Sequence, residues 1–585
     1  MKITWLDWLI VALSVAVCAI PVLLMMKRSS RGTAEFFASG RSAPWWLIGV
    51  SMVATTFSTD TPNLVCNIVR QNGVCGNWVW WAFLLTGMLT VFFYARLWRR
   101  SGVLTDLEFY ELRYSGKAAS AVRGFRAVYL GLFFNCVIMA AVNLAAVKIA
   151  NVVFGLPMGT TLIICGLLNV AFSATSGLWG VMLVDMIQFG IAMTGAILLA
   201  VFALRQPEVG GLSGLVARLP ADKLAFLPAV SNYEQLITVL VLPLTVLWWC
   251  VWYPGSEPGG GSYIAQRMLA AKSERDALGG TLFFNLAHYA LRPWPWVLVG
   301  LASILVYPTL ADIHRVFPHI PENLMGDDLG YSAMMRFLPP GVLGLMIAGM
   351  LAAYISTLST HLNWGASYLV HDFYRRFIRR DAPEQHYVAM GRIVTAVLMI
   401  LSGFLTYGLE TSKGAFDLLL SIGAGTGLLY LLRWFWWRIN AWSEIAAMVS
   451  SFAMAVLFVV LKYFGHDFSS NFILLSSIAC TTLIWVLVTF LTRPESNEVL
   501  ESFFRKVHPA GPGWGPIRKK CSDVAVVDSM TLSLLGWILG VSMVWSALFS
   551  VGSFMFGDTT SGVVLTGVFV ISTGILVPLL RRLWR

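Results

Sequence analysis

The chain has 585 residues, of which 57% are hydrophobic and only 12% charged, with a formal net charge of +11 and a mean hydropathy of +0.73. Soluble domains carry about twice that charged fraction, so a soluble enzyme or binding module is excluded. The basic balance alone would suit nucleic acid, but its distribution argues against such a partner, as shown below.

Hydropathy predicts about fifteen apolar segments of about 18–30 residues, each long enough to span a bilayer. They begin near residues 5, 44, 77, 122, 158, 178, 236, 279, 339, 386, 415, 441, 471, 527 and 560. The first carries Lys2 and Asp7 and no small-residue cleavage site, which reads as an uncleaved helix rather than a signal peptide. The loops near 27–41, 96–126, 267–275, 375–380, 433–438, 493–520 and 581–585 hold 29 of the 41 Lys and Arg. The intervening loop around 308–338 is acidic, with Asp312, Glu322, Asp327 and Asp328 against Arg315 and Arg336. This positive-inside pattern orients the chain with its N-terminus outside and its C-terminus in the cytoplasm. The eight cysteines are scattered without a Cys-x-x-Cys spacing and read as small packing residues.

The second predicted span is interrupted by Ala54-Thr55-Thr56-Phe57-Ser58-Thr59-Asp60-Thr61-Pro62. Lipid offers an irregular backbone no hydrogen bonds, so such a break is tolerated only where it faces protein or a wet cavity. The seventh span is interrupted by the run from Trp252 to Ser262, with Pro254, Pro258 and four glycines. Proline removes a donor and glycine permits non-helical backbone. Two broken spans five helices apart fit two five-helix repeats of opposite orientation, each opening on a discontinuous helix. The domain reading is an extra helix and loop over 1–43, a ten-helix core over 44–440 with repeats at about 44–204 and 236–440, and peripheral helices over 441–585. The stretch 493–526 within the last part reads as a solvated linker on the membrane surface. The segment 205–235 accommodates a short surface helix.

In the ninth span, Ala353, Ser356, Thr357 and Thr360 share one helical stripe. Hydroxyls beside freed carbonyls supply the neutral oxygens a sodium ion needs; the same residues could instead serve close helix packing. Asp185 and Gln188 share a face of the sixth span, where a buried acid costs roughly 2.5–3.5 kcal/mol and requires a partner or a cavity. Asp60 and Glu257 sit in the two breaks, either contacting solute or capping helix starts. In the eighth span His288 is a candidate solute contact and Arg292 a partner for an acid or an anionic group. Trp80, Trp252 and Tyr253 could stack on a flat solute.

Residues Phe37 to Ser51 (FASGRSAPWWLIGVS) resemble the opening signature of the sodium:solute symporter family, whose members include sodium–glucose, proline and sialic-acid carriers. The resemblance continues at Val184–Gln188, Tyr263–Lys272, Ser356–Asn363 and Trp436–Asn440, in order across about 70% of the chain. It implies an all-α, LeuT-type core with two inverted repeats, and alternating access driven by Na+. It further implies a sodium site from the carbonyls of Ala54, Phe57 and Ala353 and the hydroxyls of Ser356 and Thr357. A second cation or proton site would use Asp185 with Thr357. Solute contacts would come from Thr56, Ser58, Asp60, Thr61, Trp80, Trp252, Tyr253, Glu257 and His288. Where sugar carriers have an Asn and an acid–Gln pair this chain has Thr56, Asp60 and Thr61, and His288 stands where they place a lysine, so a simple hexose is not implied.

The expected activity is sodium-coupled symport of a small polar organic solute such as a sugar, sugar acid or amino acid. The expected setting is the bacterial inner membrane, with lipid around a monomeric functional unit and no nucleic-acid partner. The alternatives are proton coupling through Asp185, Asp60 or Glu257, a polytopic membrane enzyme using His288, His361 or His371, and a sensor on a transporter scaffold, although no output domain is attached.

Overall fold

A computed structural model describes the chain except residues 30–31, 251–257, 410–422, 424, 527 and 584–585, together with the side chains of 28–29 and 174–176. Among the described residues, eleven helices are long and apolar enough to cross a membrane, and three shorter apolar ones add to them. The span expected near residue 415 lies mostly outside the described residues.

In chain order the main helices are α1 (Trp5–Ser29), α2 (Trp45–Thr55), α3 (Asp60–Asn72), α4 (Val74–Ser101), α5 (Gly116–Phe154) and α6 (Met158–Leu204). There follow α7 (Tyr233–Thr245), α8 (Ser262–Ala270), α9 (Glu274–Val306), the short α10 (Leu329–Met334), α11 (Val342–Ile378) and α12 (Glu384–Thr406). The last are α13 (Ala441–Tyr463), α14 (Ser470–Leu491), α15 (Asn497–Val507), α16 (Met530–Met555) and α17 (Thr559–Leu583). Between α6 and α7 the segment 205–235 carries a short helix, Gly211–Arg218. α6 is two spans joined at Gly177, whose φ of +58° only glycine adopts without strain.

Packing divides the core into two bodies. In one, α9 lies along both α2 and α3, and also touches α4 and α8. In the other, α5, α6, α11 and α12 pack on one another, with α6 and α11 sharing the most extensive contact. α1 lies against α6 and α11, and Asp7 at its start accepts hydrogen bonds from the backbone N–H groups of Gly341 (2.8 Å) and Gly344 (2.7 Å) at the head of α11. That carboxylate satisfies donors that a helix start leaves unpaired. The approaches to α2 and α9 are tied by a bridge in which Ala43 N–H donates to Ala270 and Lys272 N–H donates to Ala43.

The two bodies are also joined through the 102–115 loop. Asp106 accepts from the Ser262 N–H at the start of α8 (2.9 Å) and from the Tyr368 hydroxyl on α11 (2.5 Å). Burial raises the Asp106 carboxyl above its ordinary value, against the lowering effect of those two bonds. Nearby, burial opposes ionisation of Glu108, but the hydrogen bond and charge of His371 outweigh it and hold its pKa at about 2.

The expectation of a solvated linker over 493–526 is corrected. α15 buries Leu500, Phe503, Phe504 and Val507 against the protein. Trp514 stacks on Phe503 at 5.4 Å, donates its indole N–H to the Trp434 carbonyl (2.8 Å) and lies under the Arg113 guanidinium. The apolar residues recur at helical spacing, so this stretch has a face to bury and docks on the core rather than remaining in water. Trp514→Ala is expected to weaken that docking by about 3–5 kcal/mol, checked by faster limited proteolysis within 493–526 and a lower unfolding temperature.

Candidate functional site

α2 stops at Thr55 and α3 starts at Asp60, as the Thr/Ser run ending in Pro62 requires. Thr56 turns its hydroxyl back onto the carbonyls of Met52 (3.2 Å) and Val53 (3.0 Å), while Phe57 N–H donates to Val53 and Ala54. Such local bonds compete with helix continuation and leave backbone oxygens free to meet other elements.

α11 meets the break. The Thr357 hydroxyl donates to the Thr55 carbonyl at 2.8 Å, and the hydroxyls of Thr360 and Thr55 lie 3.0 Å apart. Ser356 donates to Asp185 Oδ1 (2.6 Å), and Ser51 on α2 donates to Asp185 Oδ2 (2.5 Å). One carboxylate on α6 therefore bridges the helix before the break and the hydroxyl stripe of α11. Ala54, Phe57, Ala353, Ser356, Thr357 and Asp185 are all buried. Beside them lies a cavity of about 10 Å³ lined by Asp185, Gln188, Ser356 and Ser359 and by the apolar Val22, Phe172, Val181 and Val184, at the lower limit of what holds one water.

Arg267 also enters this site, although the loop count above places it among exposed basic residues. The structure corrects that: α8 carries it inward, and it is fully buried. Its guanidinium donates to Thr360 (2.7 Å), Ser51 (3.2 Å) and Gln266 (3.0 Å) and lies 3.7 Å from Asp185. Gln266 in turn bonds the Phe37 carbonyl and Asn363, each at 3.0 Å. The segment following the second break thus reaches the same place as the first.

A second polar layer surrounds Thr56. His288 Nδ1 and Arg292 Nη1 both lie 3.0 Å from the Thr56 hydroxyl, and Arg292 also donates to the Val53 carbonyl (3.2 Å). Arg292 lies over the Trp296 ring and in hydrogen-bond contact with His288. Trp80 stacks on Tyr289 and meets the His288 ring edge-on. Asp60 takes a hydrogen bond from Ser58, and Thr61 reaches back to the Thr56 carbonyl (3.3 Å). Thr56, Ser58, Asp60, Thr61, Trp80 and His288 therefore share one region, whereas Trp252, Tyr253 and Glu257 lie outside the described residues. Sequence reasoning did not single out Ser51, Ser359 or the buried pairing of Arg267. The signal for Arg267 was its i, i+1 neighbour Gln266 inside an apolar helix, which marks a polar pair requiring buried partners.

The histidines weighed for catalysis do not gather. His361 pairs with Asn135 on α5 (2.8 Å), His371 with Glu108 (2.6 Å) and His288 with Thr56. Among the described residues no group of three or more His, Cys, Asp or Glu side chains is placed to hold a metal ion.

The profile of the sodium:solute symporter family matches residues 36–451. A sodium/glucose cotransporter of Vibrio parahaemolyticus is 25% identical over 475 residues, covering 78% of this chain and 85% of the relative. Sodium/glucose cotransporter 1 of Oryctolagus cuniculus is 24% identical over 482 residues, covering 75% and 70% respectively. Among solved structures, a Na+-coupled sialic acid symporter in a substrate-bound outward-open state superposes with a TM-score of 0.66 at 19% identity, over 85% of this chain and all of that one. The protein is a multi-pass membrane transporter with a LeuT-type fold that couples solute movement to Na+, and it belongs to the sodium:solute symporter family.

Proposed function

We propose that the coupling ion binds where α11 crosses the first break, held by the carbonyls of Ala54, Phe57 and Ala353 and the hydroxyls of Ser356 and Thr357. The observation that carries this reading is the 2.8 Å contact between the Thr357 hydroxyl and the Thr55 carbonyl. It brings neutral oxygens from two elements to one dehydrated point, as a hard monovalent cation requires. Asp185, with Thr357 next to Ser356, supplies a second cation position, and the small cavity beside Asp185 supports it. Asp185 already has a charge partner in Arg267, so a cation at this second position must be held mainly by the neutral oxygens around it.

The solute occupies the region of Thr56, Ser58, Asp60, Thr61, Trp80 and His288. A carboxylate, an imidazole and a guanidinium around hydroxyls and ring faces suit a small polar organic solute: a sugar, a sugar acid or an amino acid. Sodium favours the state that admits this solute, and coupling follows only from the difference in sodium affinity between states. The domain division is a core at 44–440 between an extra helix over 1–43 and peripheral helices over 441–585. The setting is the bacterial inner membrane, N-terminus outside, with lipid rather than nucleic acid around a monomeric functional unit; the basic loops support that orientation.

A thermal-shift screen of the purified protein with D-galactose, N-acetylneuraminate and L-proline, in NaCl and in choline chloride, tests the reading. A ligand at one hundred times its Kd stabilises the folded state by about 2.7 kcal/mol. At least one probe class is expected to raise the unfolding temperature in NaCl and not in choline chloride. Equal stabilisation in both salts would remove sodium from solute capture.

A further inference from the structure

The segment 308–338, between α9 and α11, grips each body of the core with one of two adjacent carboxylates. Asp327 Oδ1 accepts from Arg70 Nε at 2.8 Å, near the end of α3. Asp328 Oδ2 accepts from Lys148 Nζ at 2.8 Å, near the end of α5. α10 follows immediately and wedges between α3, α9 and α5. One loop therefore ties the body of the broken helices to the body of α5, α6, α11 and α12. In transporters of this architecture, access alternates by rocking one body against the other about a fixed site. On the face that bears this loop, separating the bodies requires one of the two grips to release.

The two grips are unequal. Lys148 and Asp328 side chains are 0% and 3% exposed, and breaking a buried pair strands a charge out of reach of water. The Asp327 side chain is 25% exposed, so it can be hydrated on release. Arg70 keeps its other bonds, to the Ser303 carbonyl (2.9 Å), the Ser303 hydroxyl (3.2 Å) and the Tyr307 carbonyl (3.0 Å), all at the end of α9 on its own side.

We propose that Arg70–Asp327 is the contact that opens and closes in each transport cycle, while Lys148–Asp328 holds the 308–338 loop on the α5 body throughout. Both acids are positioning residues. The inference rests on the alternating-access cycle of the sodium symporter but on no particular solute.

Cys66 reports the event. It is buried under the loop, its thiol 3.8 Å from the Asp327 carbonyl and 3.7 Å from the Ser303 hydroxyl. A methyl group placed on Gly330 would come within 3.0 Å of its sulfur. Lifting the loop off α3 uncovers this thiol.

The test is the rate of N-ethylmaleimide modification of Cys66 in the purified full chain, read by peptide mass spectrometry, with the buried Cys136 on α5 as the control for unfolding. Asp327→Asn and Arg70→Gln are each expected to raise the Cys66 rate about tenfold or more with Cys136 unchanged, and Asp327→Glu to keep the wild-type rate. The paired apolar replacement Lys148→Met with Asp328→Leu is expected to leave the Cys66 rate slow. Wild-type Cys66 rates in both Asp327→Asn and Arg70→Gln would overturn the opening contact. Acceleration in the Lys148/Asp328 pair equal to that in Asp327→Asn would overturn the asymmetry. Because no solute or sodium is needed for the labelling, either failure leaves the symport reading standing.

Discussion

Thr357→Ala is expected to reduce sodium-driven uptake severely and to move sodium-dependent thermal stabilisation to NaCl concentrations about tenfold or more higher, while leaving folded protein in the membrane near the wild-type level. The hydroxyl is the point where α11 touches the break, at 2.8 Å from the Thr55 carbonyl. Removing it deletes one oxygen from the proposed cation site and leaves that carbonyl without its donor. Hydrogen bonds involving a charged partner contribute about 1.5–3 kcal/mol, so sodium affinity should fall by roughly one to two orders of magnitude. Loss of the hydroxyl costs stability far less, because most residues of α11 from Leu343 to Ser367 are buried and keep their packing. Thr357→Ser keeps the oxygen and should keep most of the activity; Thr357→Val keeps the shape and should not. The measurement is the NaCl concentration for half-maximal stabilisation at constant ionic strength with choline chloride. A Thr357→Ala protein with the wild-type midpoint would show that the hydroxyl serves packing alone.

Arg267→Met is expected to destabilise the folded state severely. Arg267 and Asp185 side chains are both 0% exposed, 3.7 Å apart. The hydroxyls of Ser51 and Ser356 bond the carboxylate but bring it no charge. Deleting one member of a buried ion pair typically costs about 3–5 kcal/mol, whereas replacing both by apolar groups of similar volume is often near neutral. Arg267→Met alone should therefore express poorly or unfold at a much lower temperature, and Arg267→Met with Asp185→Leu should recover most of the loss. Unfolding curves of the wild type, the two single variants and the double variant give the coupling energy. Additive losses would mean that the two groups do not compensate one another.

The chemistry of the first break was legible because it is local. A Thr/Ser run ending in Pro62 cannot continue a helix, and α2 and α3 indeed flank residues 56–59. The stripe Ser356, Thr357, Thr360 was legible from helical spacing alone. The partners of these groups were not. Asp185 and Arg267 are 82 positions apart in sequence, and Arg267 lies five residues before Lys272 in a stretch that reads as a basic membrane edge. Its burial is a tertiary fact, set by the way α8 turns inward after Gly259 and Gly260, both at positive φ, with Gly259 packed 2.8 Å from the Tyr94 ring where a Cβ would stand. His288 and Arg292 are four residues apart, and weighing them separately obscured that both address Thr56. The docked 493–526 stretch had a readable signal that its charge concealed. Leu500, Phe503, Phe504 and Val507 form one helical face, while Arg505, Lys506, Arg518, Lys519 and Lys520 gave the stretch the character of a solvated linker.

On the proposed reading, the first break and the hydroxyl stripe of α11 together make a dehydrated sodium site. Saturation binding of radioactive ²²Na+ to the purified protein, with and without a large excess of K+, tests it most directly. Saturable Na+ binding that K+ does not displace is expected in the wild type, and none at the same concentrations in Thr357→Ala. Identical binding in the two proteins, or complete displacement by K+, would contradict it.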